Sequence, residues 1–268
     1  MMTPVRQALT IGINAYKPDY LRLEPCINDA TDLSISLRSI GFYTRCARDL
    51  DSNSMQSVVR RFVESIQPGA IVLFYFSGHG IQYNGDNYLI ATDATGICSD
   101  NIKSIALDVQ KLITQMHTKH PRLTICILDC CRTKPPSKSI DEKHRFDNTL
   151  KGTKPGLAPM QAPSSTIIAY ACAANDGASA QSKNDRNSLY TYHLLRYIRM
   201  PNIDIENVLR YVAADVQKDS NNEQIPFRYS SCNESICLVP SLGQNVPLLP
   251  LQYMQMRANS RKSLSRSE

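Results

Sequence analysis

Short, mostly apolar runs recur along the chain at 8–13, 42–46, 71–76, 123–128, 166–171 and 236–239. Apolar character there falls on consecutive residues more than on alternate ones, the pattern of strands covered on both faces. Between the runs, apolar residues return at helical spacing. Ala30, Leu33, Leu37 and Ile40 form one stripe, and Met55, Val59, Phe62 and Ile66 form another after the polar start signal Asp51-Ser52-Asn53-Ser54. Val109, Leu112, Ile113 and Met116 mark a third helix, 190–198 a fourth, and Ile205, Val208, Leu209, Val212 and Val216 a fifth. Strand and helix signals alternating in this way predict an α/β fold, a mainly parallel six-stranded sheet with helices on both faces. Asn84-Gly85 between Tyr83 and Asp86 adds a hairpin turn.

The alternation breaks at 132–164, where Pro135, Pro136, Pro155, Pro159 and Pro163 are interleaved with lysines and arginines. A loop of this length inside a compact domain is unusual, and the segment is expected to be exposed, and functional or disordered. Beyond position 240 the chain is Ser-rich and basic, with Arg257, Arg261, Lys262 and Arg266. The expected organisation is one domain over 1–240 followed by a basic flexible tail at 241–268. Within the domain, a part of about 1–131 and a part of 165–240 flank the loop.

Composition narrows the function classes. The longest apolar runs reach about seven residues, as in 70–76, against the ~20 a membrane helix needs, so no membrane span is expected. The net charge of +6 comes in large part from the tail, and the body has no basic face with interleaved aromatics, so no nucleic-acid partner is expected. The 9 cysteines show no CxxC pairs and no His-bracketed zinc spacing, which favours reduced thiols and a cytoplasmic setting. His117 and His120 stand at HxxH spacing without an evident third ligand, so no metal and no cofactor are expected.

Two of the apolar runs end in polar clusters. Phe74-Tyr75-Phe76 leads into Ser77-Gly78-His79-Gly80, and Ile125-Cys126-Ile127-Leu128 leads into Asp129-Cys130-Cys131-Arg132. Sites in open parallel sheets lie beyond the carboxyl ends of the strands. If these two strands are parallel neighbours, His79 meets a thiol about 50 positions further on. An imidazole beside a thiol raises its reactive fraction and carries its proton during acyl transfer. Gly80 lets the backbone approach a substrate, and its N–H is a candidate oxyanion donor together with that of Cys131. Residue chemistry alone does not separate Cys130 from Cys131.

These motifs, with Ile11-Gly12-Ile13-Asn14, Cys26-Ile27-Asn28-Asp29-Ala30, Tyr170-Ala171 and Gln224-x-Pro226, resemble the caspase-like cysteine peptidases over about 5–240, and the metacaspases and paracaspases more than the caspases proper. The resemblance implies a caspase-like three-layer sandwich and a catalytic dyad of His79 and Cys131, because the family nucleophile stands two residues after the Asp. It also implies that Asp29 and Asp129 line the substrate pocket. A pocket for Arg or Lys needs carboxylates, whereas one for Asp needs arginines. The expected activity is therefore endopeptidase cleavage after Arg or Lys in protein or peptide substrates, with self-processing in the 132–164 loop. Helix capping is the plainer role for Asp29, compatible with the pocket role, and orienting the loop is the plainer role for Asp129. Thr133 replaces the Gly of the caspase signature, and Asp86 is the lone acid of 81–89, too few oxygens for the calcium that many metacaspases use. Two rivals stand beside this reading. One is a catalytically silent scaffold that acts through regulatory protein partners. The other is an Asp-specific peptidase using Arg22 or Arg132.

Overall fold

The computed structural model describes residues 4–17, 19–93, 97, 100–131, 153–154, 157–172 and 182–239, with the backbone alone at Tyr20, Cys131, Thr153 and Lys154. Five expected strands form: β1 (Arg6–Gly12), β2 (Tyr43–Arg48), β3 (Ile71–Tyr83), β6 (Leu123–Cys131) and β8 (Thr166–Tyr170). Shorter strands β4 (Asp86–Leu89) and β7 (Thr153–Lys154) attach to the extended end of β3, and β5 (Leu107–Asp108) pairs with β4. A last strand, β9 (Phe227–Ser230), completes the main sheet in the order β2-β1-β3-β6-β8-β9. All neighbours in that order are parallel except β8 and β9, which are antiparallel.

The sixth strand is therefore not the expected one at 236–239. That segment contributes an isolated bridge between Asp204 and Cys237. Ile236 and Leu238 are apolar because they are buried beneath the helices, not because they join the sheet. Phe227–Ser230 is an edge strand, half-buried to exposed, so it lacks the continuous apolar run of the inner strands.

The helices are α1 (Cys26–Ser39), α2 (Ser52–Ser65), the short α3 (Ile102–Ile105), α4 (Val109–His117), α5 (Leu189–Tyr197) and α6 (Ile205–Asp219). Side-chain caps begin four of them: Asp51 accepts from Ser54 N–H, Asp108 from Lys111, Ser188 from Thr191 and Asp204 from Glu206. The two-residue period of the strands separates the core into halves. Phe74, Phe76, Cys126 and Leu128 pack toward α2 and α4, while Leu73, Tyr75, Ile125 and Ile127 pack toward α1, α5 and α6. The inner strands are covered on both sides, which gives the three layers expected.

Not all of 132–164 is exposed. Leu157, Ala158 and Met160 are buried, and Asn87 holds Ala158 through paired bonds to its N–H (2.6 Å) and carbonyl (2.7 Å). Residues 132–150 and the tail at 241–268 lie outside the described residues.

The β1 to α1 connection depends on close backbone contact. A Cβ on Gly12 would stand 2.1 Å from the Cys26 carbonyl oxygen and 2.9 Å from the Ile27 Cα. Both obstacles are main chain and cannot swing aside. Gly12→Ala is expected to destabilise the fold by about 3 kcal/mol or more, read as a lower urea midpoint at unchanged slope.

Candidate active site

Parallel pairing carries β3 alongside β6 to the carboxyl end of β6, and β3 continues past it to Tyr83. Ser77 pairs with Asp129, Gly78 with Cys130 and His79 with Cys131. The two expected dyad residues are thus lateral neighbours in backbone register. Asp129 and Ser77 lie one pleat earlier, on the face of Tyr75 and Ile127 that packs against α1 and α5.

His79 is buried and held at three points. Its backbone N–H donates to the Tyr16 hydroxyl (2.8 Å), its Nε2 meets the Leu21 carbonyl oxygen (2.7 Å), and the Tyr16 ring lies tilted against the imidazole with centroids 4.3 Å apart. A carbonyl oxygen can only accept, so Nε2 carries the hydrogen, and Nδ1 is the basic nitrogen of the neutral ring. Tyr16 is fully enclosed, and its hydroxyl also donates to the Ile90 carbonyl (3.2 Å). Gly78 is required beside it, because a Cβ there would stand 2.4 Å from the Tyr16 oxygen. Tyr16→Phe removes the acceptor of a buried N–H and is expected to cost about 1–3 kcal/mol in urea denaturation.

Cys130 is buried and packs in the core half that contains Cys126 and Leu157. Gly80 is partly buried. A Cβ there would stand 2.9 Å from the Cys130 sulfur and 3.1 Å from Leu157 Cδ2, so its smallness serves packing as well as backbone approach.

Asp29 sits in the first turn of α1 and is completely enclosed. It does not cap its own helix. Its Oδ1 accepts the Ser188 N–H (3.0 Å) and its Oδ2 the Ser77 hydroxyl (3.1 Å). Asp129 is buried as deeply, and its Oδ2 accepts from Ser188 Oγ (2.5 Å), Thr191 Oγ1 (2.7 Å) and Tyr75 (3.3 Å). Among the described residues neither carboxylate forms an ion pair. Burial, then the charge of Asp129, pushes the Asp29 carboxyl up to about 8. Burial pushes Asp129 up as well, against the pull of its hydroxyl donors. The pair titrates as a unit and keeps a proton at neutral pH, since two adjacent buried carboxylates resist being charged together.

The sequence reading did not find Tyr16, the Leu21 carbonyl, Tyr75, Ser188 or Thr191. Thr191 lies within the expected helix at 190–198 and Tyr75 within an expected strand, and none of the five carried a signal of a role at the site. Arg22 lies on the surface in an ion pair with Asp19 (3.4 Å), while Arg132 and Thr133 lie outside the described residues. Among the described residues, no group of three His, Cys, Asp or Glu side chains is arranged to hold a metal.

The chain matches the family model described as the caspase domain over residues 5–236, and it belongs to that family. It is 25% identical over 185 residues to the human protein "Mucosa-associated lymphoid tissue lymphoma translocation protein 1", covering 68% of this chain and 20% of that one. The mouse homolog matches to the same extent. The chain thus spans about a fifth of the length of these curated relatives. Among solved structures, pro-sf-caspase-1 superposes with a TM-score of 0.63 at 15% identity, over 90% of this chain and 93% of the other. Caspase-1 from Spodoptera frugiperda gives 0.60 at 15%, over 90% and 92%. These likenesses establish the caspase-like α/β sandwich. No helix among the described residues is long and apolar enough to cross a membrane.

Proposed function

We propose that this chain is a cysteine endopeptidase that cleaves after Arg or Lys. The observation that carries the reading is the pairing of His79 and Cys131 in backbone register at the carboxyl end of β6, with two enclosed carboxylates beside them that form no ion pair among the described residues. In this mechanism the Cys131 thiol gives its proton to His79 Nδ1 and the sulfur attacks the peptide carbonyl carbon. The Leu21 carbonyl fixes the ring and stabilises the imidazolium through Nε2–H. The backbone N–H groups of Gly80 and Cys131 hold the oxyanion. Collapse breaks the C–N bond, His79 protonates the leaving amine, and water, deprotonated by the same ring, hydrolyses the thioester and returns the thiol. Asp29 and Asp129 bind the cationic side chain before the scissile bond. A reducing compartment such as the cytoplasm keeps the nucleophile competent.

The buried acids also bear on the Asp-specific rival. An aspartate side chain entering beside Asp29 and Asp129 would bring a further negative charge to a pair that already keeps a proton because its own two charges repel. Matched fluorogenic tetrapeptides ending in Arg, Lys or Asp test the reading. Turnover after Arg or Lys that disappears in Cys131→Ala is the expected result. Preferred turnover after Asp overturns the specificity, and a folded chain inert toward all of them favours the scaffold.

A further inference from the structure

The hydrogen bonds around the carboxylate pair converge on the start of α5. Ser188 gives its backbone N–H to Asp29 Oδ1 (3.0 Å) and its hydroxyl to Asp129 Oδ2 (2.5 Å), while its oxygen accepts the Thr191 N–H (3.0 Å). One residue therefore spans both acids and begins the helix that carries a second donor, Thr191, to Asp129.

The segment leading into Ser188 is clamped onto α1. The Arg186 guanidinium forks onto Asp32 (2.7 and 2.9 Å), and Asn187 Nδ2 reaches the same carboxylate (3.2 Å). Asn28 Nδ2 donates to the Arg186 carbonyl (3.1 Å), and Ser182 Oγ donates to the Asn187 carbonyl (2.5 Å). Asn28, Asp29 and Asp32 of one helix thus all engage 186–188. The fork also commits a cation that lies near Asp29 to another partner, so Arg186 does not fill the pocket itself.

We infer that Ser188 is the positioning residue that sets selectivity for a cationic side chain by holding Asp29 and Asp129 to one point, and that Asp32 latches Arg186 and Asn187 so that Ser188 stays there. This rests on the peptidase reading. Left to their own rotamers, the two carboxyl groups would turn apart as the second proton leaves. Tied to one backbone position, they present a fixed double acceptor to an entering guanidinium or ammonium. The groups facing the pair are Tyr75 and Ser77 from β3, Arg186 and Asn187 from the clamped segment, and Tyr190 and Thr191 from α5.

Steady-state kinetics on the full chain test it. Ser188→Ala is expected to raise KM for Arg peptides roughly tenfold or more with kcat little changed. It is also expected to move the pH midpoint of kcat/KM upward, since an anion that loses a donor protonates more readily. Ser188→Thr keeps the hydroxyl and is expected to restore both. Arg186→Ala, at an exposed position, is expected to raise KM by opening the latch, and it decides the question if Ser188→Ala does not fold. Asp51→Ala removes the cap of α2 on the opposite core half and is expected to leave KM unmoved, which separates pocket geometry from mere loss of a helix cap. Unchanged KM and pH midpoint in Ser188→Ala, or in Arg186→Ala where it stands in, overturns the inference. If the unsubstituted chain cleaves nothing after Arg or Lys, the peptidase reading falls. Calorimetric binding of agmatine then decides the inference: binding weakened in Ser188→Ala supports it, and equal or absent binding overturns it.

Discussion

Cys131→Ala is expected to lower kcat for Arg and Lys peptides by at least about 10⁴-fold, and His79→Ala by a comparable factor. The two groups are expected to act as one device, so the double variant should be no worse than either single one. Nucleophile and base that share one proton transfer are non-additive in this way. The physical ground is the backbone pairing of His79 with Cys131, together with the anchoring of the imidazole by Leu21 and Tyr16. A base held in one tautomer needs no reorganisation when the thiol proton arrives. If the effects of the two single variants multiplied, the residues would be independent contributors and the dyad assignment would fail. Retention of full turnover by Cys131→Ala would move the chemistry to another thiol.

Both motifs of this device were legible because they sit where apolar strands end, and a parallel sheet gathers such ends on one edge. The inner strands were legible for the related reason that burial on both faces leaves an unbroken apolar run. The same rule misplaced the last strand. It favoured 236–239, where Ile236 and Leu238 are buried without pairing, over the edge strand Phe227–Ser230, whose Arg228 binds Glu206 and whose Tyr229 is exposed. Asp29 and Asp129 came from the family resemblance rather than from a local pattern, and their enclosure was not foreseeable from spacing. Ser188 lies 159 positions from Asp29 and 59 from Asp129. A serine at a helix start has a sufficient local explanation as a cap, so nothing in the sequence pointed to its second role. Tyr16 likewise read as one loop residue among several, because its importance is a contact across 63 positions with the His79 N–H.

The enclosed acids are expected to cost the fold stability that they return in function, and Asp29→Asn separates the two effects. An ordinary aspartate titrates near 4 in an unfolded chain, whereas Asp29 is pushed up to about 8 in the fold. The folded state therefore binds its proton more tightly than the unfolded state. By linkage, its contribution is fully present below the unfolded value and is lost as pH rises through about 8. The asparagine carries no charge at any pH. Its oxygen can still accept the Ser188 N–H, and the Ser77 hydroxyl can turn to accept its amide. Unfolding in urea at pH 5, 7 and 9 is expected to show a gap that widens with pH, until the variant is the more stable chain by on the order of 2 kcal/mol at pH 9. Turnover is expected to go the other way. Loss of one buried carboxylate should lower kcat/KM after Arg or Lys by roughly 10²-fold or more. In the unsubstituted chain kcat/KM should climb toward pH 8, because the empty pair must release its proton to receive a cation. A stability gap that stayed constant from pH 5 to 9 would mean that the pair is already ionised when empty. The pocket would then owe its selectivity to something other than two acids held ready to be charged by the substrate.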